Sequence, residues 1–298
     1  MAEPSVGTTT RIAFDTALPF DTSSIPIEHT GAESLTESQV IDETQGNTGT
    51  MEHLSERTRL GQKRCSGSVR IPCGKLAMDT ILPLILGGTE TADSFPLANS
   101  IPEFVLMVDR GQKVYTYSGC RIARATFTGA SGQILMLDLD IEAETEVEGA
   151  SGSFPAIATP TESPWRLEDG VLTLQAATRD FNEFSLVIEN QLDTERFENS
   201  LTRIDIPLLD RIITLSTNHP WSSDNLDLIK QDLAGAGGSL VFTNTESSDV
   251  LTFTMGAIQY PTKTPGTQKA QTTRLPLEGV VRKTGSTASL VVANAAGA

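Results

Sequence analysis

Six carboxylates at every second position, Asp138, Asp140, Glu142, Glu144, Glu146 and Glu148, are the residues whose type and spacing most invite a chemical reading. Leu137, Leu139, Ile141, Ala143 and Val147 stand between them. Strand side chains alternate between faces, so Ile134–Glu148 reads as one strand with an apolar face and an acidic face. Like charges about 7 Å apart on such a face repel modestly in water, and the sequence accepts that cost six times. Three readings compete. One is an ordinary solvated strand face. The second is a calcium site: Asp138-x-Asp140-x-Glu142 resembles the start of an EF-hand loop, but Ala143 stands where that loop needs glycine. The third is a functional negative surface, which in a ring-shaped assembly lines a channel and keeps a passing polyanion from adhering.

A basic group stands upstream. Arg57, Arg59, Lys63, Arg64, Arg70 and Lys75 crowd one stretch, after a polar, acidic segment whose only basic residue is Arg11. Such a reversal offers complementary surfaces for contact between subunits or rings.

Reaction centres are not evident, and no catalytic residue, metal site or cofactor is expected. Gly235-Ala-Gly-Gly238 lacks a following Lys-Ser/Thr and leads into a strand, so it reads as a turn. Thr128–Gly132 and Gly149–Gly152 do not fit the GxSxG elbow. His29 and His53 sit in the polar arm, and His219 precedes Pro220 in a turn-like setting, which leaves no ready Ser-His-Asp arrangement. Paired carboxylates for glycoside cleavage stay open, although Trp165 and Trp221 are the only tryptophans to stack sugars, and each follows a proline as an end plug would. Cys65, Cys73 and Cys120 show neither CxxC nor zinc spacing and read as reduced, packed residues.

The elements that position these groups are mostly strands. Residues 1–60 read as an extended acidic N-terminal arm with little core of its own. Residues 61–150 form a first β subdomain: strand Ser66–Ile71, a short helix from Asp79 as N-cap to Gly87, with Pro83 limiting it to one or two turns, then strands Glu103–Asp109, Lys113–Gly119 and Arg121–Thr128. Asp109–Gln112 reads as a hairpin turn. Residues 151–180 read as a linker or long loop. Residues 181–298 repeat the order, with strands Phe181–Glu189 and Ile204–Thr217, a helix Ser223–Leu233, and strands Ser239–Thr245, Val250–Tyr260, Thr272–Arg282 and Ala288–Val292. The repeat leaves one domain or two tandem domains open.

A formal charge of −16 over 298 residues and a pI near 4.6 exclude a surface that clings to nucleic acid. The opening Met1–Gly7 lacks a signal-peptide pattern and no apolar run reaches about 20 residues, so synthesis in a cytoplasm and no membrane partner are expected.

The ordered pattern resembles the tail tube (major tail) proteins of long-tailed bacteriophages. It rests on Gly67–Pro72 before the short helix, Tyr115–Ile122 before the acidic strand, Phe184–Leu192, Ile213–Asn218, and the closing strands Leu251–Tyr260 and Arg274–Arg282. The resemblance implies a mainly β, sandwich or barrel tail-tube fold with short flanking helices. It implies stacked hexameric rings, or trimeric pseudo-hexameric rings if the chain holds two tube domains, forming a hollow virion tail assembled in the host bacterium. Partners would then be copies of the chain, tape-measure, terminator and distal tail proteins, and double-stranded DNA passing an acidic lumen without adhering. The alternative is a receptor-binding or glycan-cleaving tail component.

Overall fold

The computed structural model describes residues 10–20, 25–30, 33–44, 52, 55–150, 152–156, 161–223, 236–261, 265–267 and 272–297. Among these are strands β1 (Arg11–Asp15), β2 (Ile25–Ile27), β3 (Thr36–Glu43) and β4 (Thr58–Pro72), helix α1 (Lys75–Leu86), then β5 (Ser94–Pro96), β6 (Phe104–Asp109), β7 (Lys113–Ala130), β8 (Met136–Ala143) and β9 (Thr145–Ala150). The C-terminal half adds β10 (Gly170–Leu174), β11 (Ala177–Arg179), β12 (Glu183–Leu192), β13 (Leu208–Pro220), β14 (Ala236–Thr243), β15 (Val250–Gln259), β16 (Arg274–Arg282) and β17 (Leu290–Ala295). The expected helix Ser223–Leu233 falls almost wholly outside the described residues, as does His53.

All the strand pairings are antiparallel, and the architecture is mainly β and sandwich-like without closing into a barrel. A long layer runs β3-β4-β8-β7-β12-β13-β16-β15-β14-β10-β11, with β17 and β5 beside β15. A smaller layer runs β2-β1-β6-β7-β9. The two share β7, which the sequence reading divided at Gly119–Arg121 but which continues through a bend. Gly119 takes φ +63 there, a left-handed value that glycine adopts without steric cost. On β7 the residues buried in the main core step from Tyr117 to Cys120 and Ile122, then to Ala125 and Phe127, because the bend and a bulge between Ile122 and Arg124 each shift the two-residue phase, while Val114 packs in a small separate cluster with Ala13, Met107 and Phe154.

The long layer folds over on itself around an apolar core in which Phe127 of β7 meets Phe253 of β15 edge-on at 5.0 Å, and Phe242 of β14 lies 5.5 Å from Phe184 of β12. One buried cluster runs from Ile12 to Val292, and β7 pairs with β12, so residues of both halves of the chain share that core. The first sixty residues contribute more to it than the polar composition suggests: Ile12, Phe14, Ile27 and Leu35 are buried. β1 is inserted between β2 and β6, and its five residues are too few to register as a periodic apolar segment. The stretch 151–180, read as a linker, holds the β10–β11 hairpin and a buried Trp165 whose Nε1 donates to the Asp249 carbonyl.

The helix differs from its sequence reading. It begins at Lys75, four residues before Asp79, and runs twelve residues through Pro83 to an αL stop at Gly87. Its N-cap, Gly74, has no side chain to offer, and the cap comes from Glu162, whose carboxylate accepts from the Leu76 and Ala77 amides. Asp79 instead receives Lys75 one turn back at 2.6 Å. An interior proline costs about 3 kcal/mol, whereas burying each of Met78, Ile81, Leu82, Leu84, Ile85 and Leu86 returns about 1.5–3 kcal/mol. Packing wins, and the helix continues.

Candidate functional site

β8 lies between β4 and β7, buries Leu137, Leu139, Ile141 and Ala143, and turns Asp138, Asp140 and Glu142 outward. The register sets an arginine against Asp138 and Asp140, and a loop supplies the one on Glu142. Arg70 on β4 faces Asp138 at 3.5 Å, and Arg124 on β7 donates to Asp140 at 2.8 Å. Arg203, from the loop between β12 and β13, donates from Nη1 to Glu142 at 2.6 Å and to the carbonyls of Cys65 and Ala143 at 3.2 Å. The first two pairs are half exposed and worth at most about 1 kcal/mol each. Arg203 is different: its side chain is 3% exposed, so its charge depends on these acceptors. The face is therefore a ladder of ion pairs and not a bare row of carboxylates.

The acidic alternation does not continue as one strand. Pairing breaks at Glu144, whose amide donates to the Ser118 carbonyl at 3.0 Å, and β9 then follows β7 into the smaller layer. Gly119 stands opposite the break, and a Cβ there would come 2.4–2.6 Å from the Glu144 carboxyl group. The break changes the phase. Val147, expected in the core, is 59% exposed, and Glu146 instead accepts from the Glu37 amide at 3.1 Å. Glu148 pairs with Lys113 across the β7–β9 ladder. The predicted single acidic face is thus divided: three carboxylates lie on the larger layer, Glu144 at the corner, and two on the smaller layer. A strand serving two layers has to bend, and the bend costs it its alternation.

At the corner, Glu144, Glu103 and Asp205 place carboxylate oxygens within 4.8 Å of one another. Arg121 reaches Glu103 at 2.7 Å and Asp205 at 2.9 Å with the same nitrogen, Nη2. Partial burial, then the charges of Glu103 and Asp205, push the Glu144 carboxyl up to about 7, with Arg121 opposing. Beside the ladder lies a groove of about 690 Å³, lined among others by Ser68, Arg124, Asp140, Glu142, Glu189 and Thr194.

The basic stretch is spread along β4 and into α1. Lys63 pairs with Glu37 at 2.8 Å, Arg64 forks onto both Glu195 carboxylate oxygens, Arg70 faces Asp138, and Lys75 holds Asp79. Arg57 and Arg59 are exposed at the outer end of the β3–β4 ribbon, near exposed Ile41 and Leu60, which face each other across the two strands. So four of the six bind within the chain, while the outermost two stay at its surface.

His219 lies inside β13 and not in a turn. Its ring nitrogens contact Thr217 Oγ1 at 2.8 Å and the Asp180 carbonyl at 2.9 Å, and burial lowers its pKa below the usual histidine value. The three cysteines are free and buried, and burial pushes the Cys65 thiol up to about 12. Trp165 is a core plug, and Trp221 packs on the core from its edge.

Sequence reasoning missed Arg124, Arg203, Asp205 and Glu103. Arg124 was within reach, since the hairpin joining β7 to β8 fixes which residue faces Asp140. Arg203 had no local signal, because it meets Glu142 from 61 residues away.

Fold and site together define a mainly β, sandwich-like protein that presents a laddered ionic sheet face. The family described as phage tail tube protein matches residues 2–281, and the chain belongs to that family. It is thus a structural protein of the bacteriophage virion, a component of the tail, and membership implies assembly with copies of itself and other tail proteins. No curated protein matches the chain. Among the described residues no helix is long and apolar enough to cross a membrane.

Proposed function

We propose that copies of this chain form stacked rings, hexameric or trimeric and pseudo-hexameric, whose hollow centre carries the genome during ejection, and that the β8 ladder faces that channel. The chain acts without catalysis, is made in the host cytoplasm, and joins tape-measure, terminator and distal tail proteins in the virion. The observation that carries this reading is the ladder itself: one face of β8 is fully apolar and buried, while the other holds three carboxylates clamped by Arg70, Arg124 and Arg203. A carboxylate paired along the sheet neutralises an arginine that would otherwise bind phosphate. Such a face is wettable and gives passing DNA nothing to hold. Glu146 and Glu148 extend the acidic lining from the smaller layer. The β3–β4 ribbon, with Arg57 and Arg59 at its end and Ile41 opposite Leu60, suits the contact between rings.

The test is a phage carrying Asp138→Asn and Asp140→Asn. These changes leave Arg70 and Arg124 unpaired, so tails of normal length should assemble while triggered DNA release slows or stops short. Release of the full genome at the wild-type rate would refute the lumenal placement. Electron microscopy of the purified chain, counting subunits per ring, distinguishes three from six.

A further inference from the structure

The corner where the two layers part holds more negative than positive charge, and the excess sits at a hinge. Glu144 projects from the break between β8 and β9 against the bend of β7 at Gly119. Glu103 enters from the segment before β6, and Asp205 from the loop between β12 and β13. Arg121 on β7 is the cation among them, its side chain 13% exposed and its Nη2 shared by Glu103 and Asp205, while its Nε is buried with no acceptor. Behind Asp205 stands Arg196 at 3.3 Å, the Glu142–Arg203 pair occupies the next rung on β8, and the buried Cys120 thiol lies beneath. Three ionised carboxylates within 4.8 Å around one guanidinium repel one another more than that single cation offsets.

We propose that Glu144 and Asp205 compete for Arg121, so that the charge on Glu144 decides whether the loop around Asp205 is fastened to the corner. With a proton on Glu144, Arg121 bridges Glu103 and Asp205, as in the structure, and the loop is closed. When the proton leaves, Glu144 becomes a third anion within reach of Arg121, including its free Nε, and the Asp205 contact weakens. The loop then loosens at its Asp205 side, while the Arg64–Glu195 fork, the Lys63 amide on the Leu201 carbonyl and Arg203 on Glu142 still hold the rest of it. Ile204, already half exposed beside Asp205, is the apolar group that this loosening would release. The elevated pKa of Glu144 places the change near neutrality. The device depends on this corner alone and stands or falls separately from the lumenal role of the ladder.

Hydrogen exchange of the full-length chain tests it. Between pH 5.5 and pH 8.5, after correction for intrinsic exchange, peptides spanning residues 196–206 should lose protection by roughly tenfold, the equivalent of one pKa unit of coupling, while peptides of β12 and β13 stay unchanged. Glu144→Gln, which keeps the shape without the charge, should hold the loop protected at both pH values. Asp205→Asn should leave it poorly protected at both. Equal loop protection in the wild type across this range, or the same loss in Glu144→Gln, overturns the proposal.

Discussion

Arg124 and Asp140 face each other across the β7–β8 ladder, the Nε and Nη2 of one lying 2.8 Å from the Oδ2 of the other, just beyond the bulge that re-phases β7. The hairpin register sets Arg124 outward in line with Thr126 and Thr128, and past the bulge Ile122 turns into the core instead of following them.

Because the Arg124–Asp140 pair is half exposed, Asp140→Asn should change folding stability by less than about 1 kcal/mol in a denaturant titration. Its effect on non-specific DNA binding should be larger in relative terms, since it frees a cation, and a filter-binding comparison at low salt reads that directly.

Arg203 behaves differently. Arg203→Met strands Glu142 and two carbonyl acceptors and should cost about 3 kcal/mol, visible as a shifted denaturation midpoint. Adding Glu142→Gln should recover part of that loss, and strict additivity of the two changes would count against a direct pair.

Gly119→Ala places a methyl group at φ +63 and against the Glu144 carboxyl group, with an expected loss of about 1–2 kcal/mol. Thermal unfolding of Gly119→Ala beside Gly132→Ala, where φ is also positive but nothing lies within 4 Å, separates the collision from the backbone strain.

Loss of the borrowed helix cap is expected to be smaller. Glu162→Ala removes the acceptor for the Leu76 and Ala77 amides and should destabilise by about 1 kcal/mol, with Glu162→Gln intermediate. A Glu162→Ala chain as stable as wild type would show that the amides are satisfied without it.

Titrations of the buried His219 and the partly buried Glu144 oppose each other. The folded chain holds His219 neutral below the ordinary histidine pKa of 6.5, so the unfolded chain takes the proton first, and stability falls as pH drops below 6.5. Glu144 has its folded pKa raised, so the folded chain keeps a proton that the unfolded chain loses. Its contribution is full below 4.5 and is lost as pH rises from 4.5 to about 7. Stability of Glu144→Gln should therefore rise with pH between 5 and 6.5 more steeply than that of wild type, measured by denaturant midpoints.

Much of the architecture was legible locally. The hairpin at Asp109–Gln112 lies where its turn residues put it, with Gly111 at φ +80 and its amide on Asp109. The helix was visible but misplaced, because Asp79 looks like a cap and Pro83 like a limit when neither Glu162 nor the core is in view. The arm looked coreless because Ile12, Phe14, Ile27 and Leu35 are scattered among polar residues and gain their burial only from elements distant in the sequence, β6 beside β1 and β4 and β7 beside Leu35.

By itself the sequence determined that residues 137–143 form a strand with one apolar and one acidic face, since that alternation follows from the pleat of a single chain. It also carried the family resemblance. Only the tertiary structure decided where the alternation ends, which arginines face Asp138, Asp140 and Glu142, and that Val147 turns outward. Those outcomes depend on strand register and a loop contact with partners from 16 to 68 residues away and on a bend forced by two layers sharing β7, and neither is written in the period of one strand.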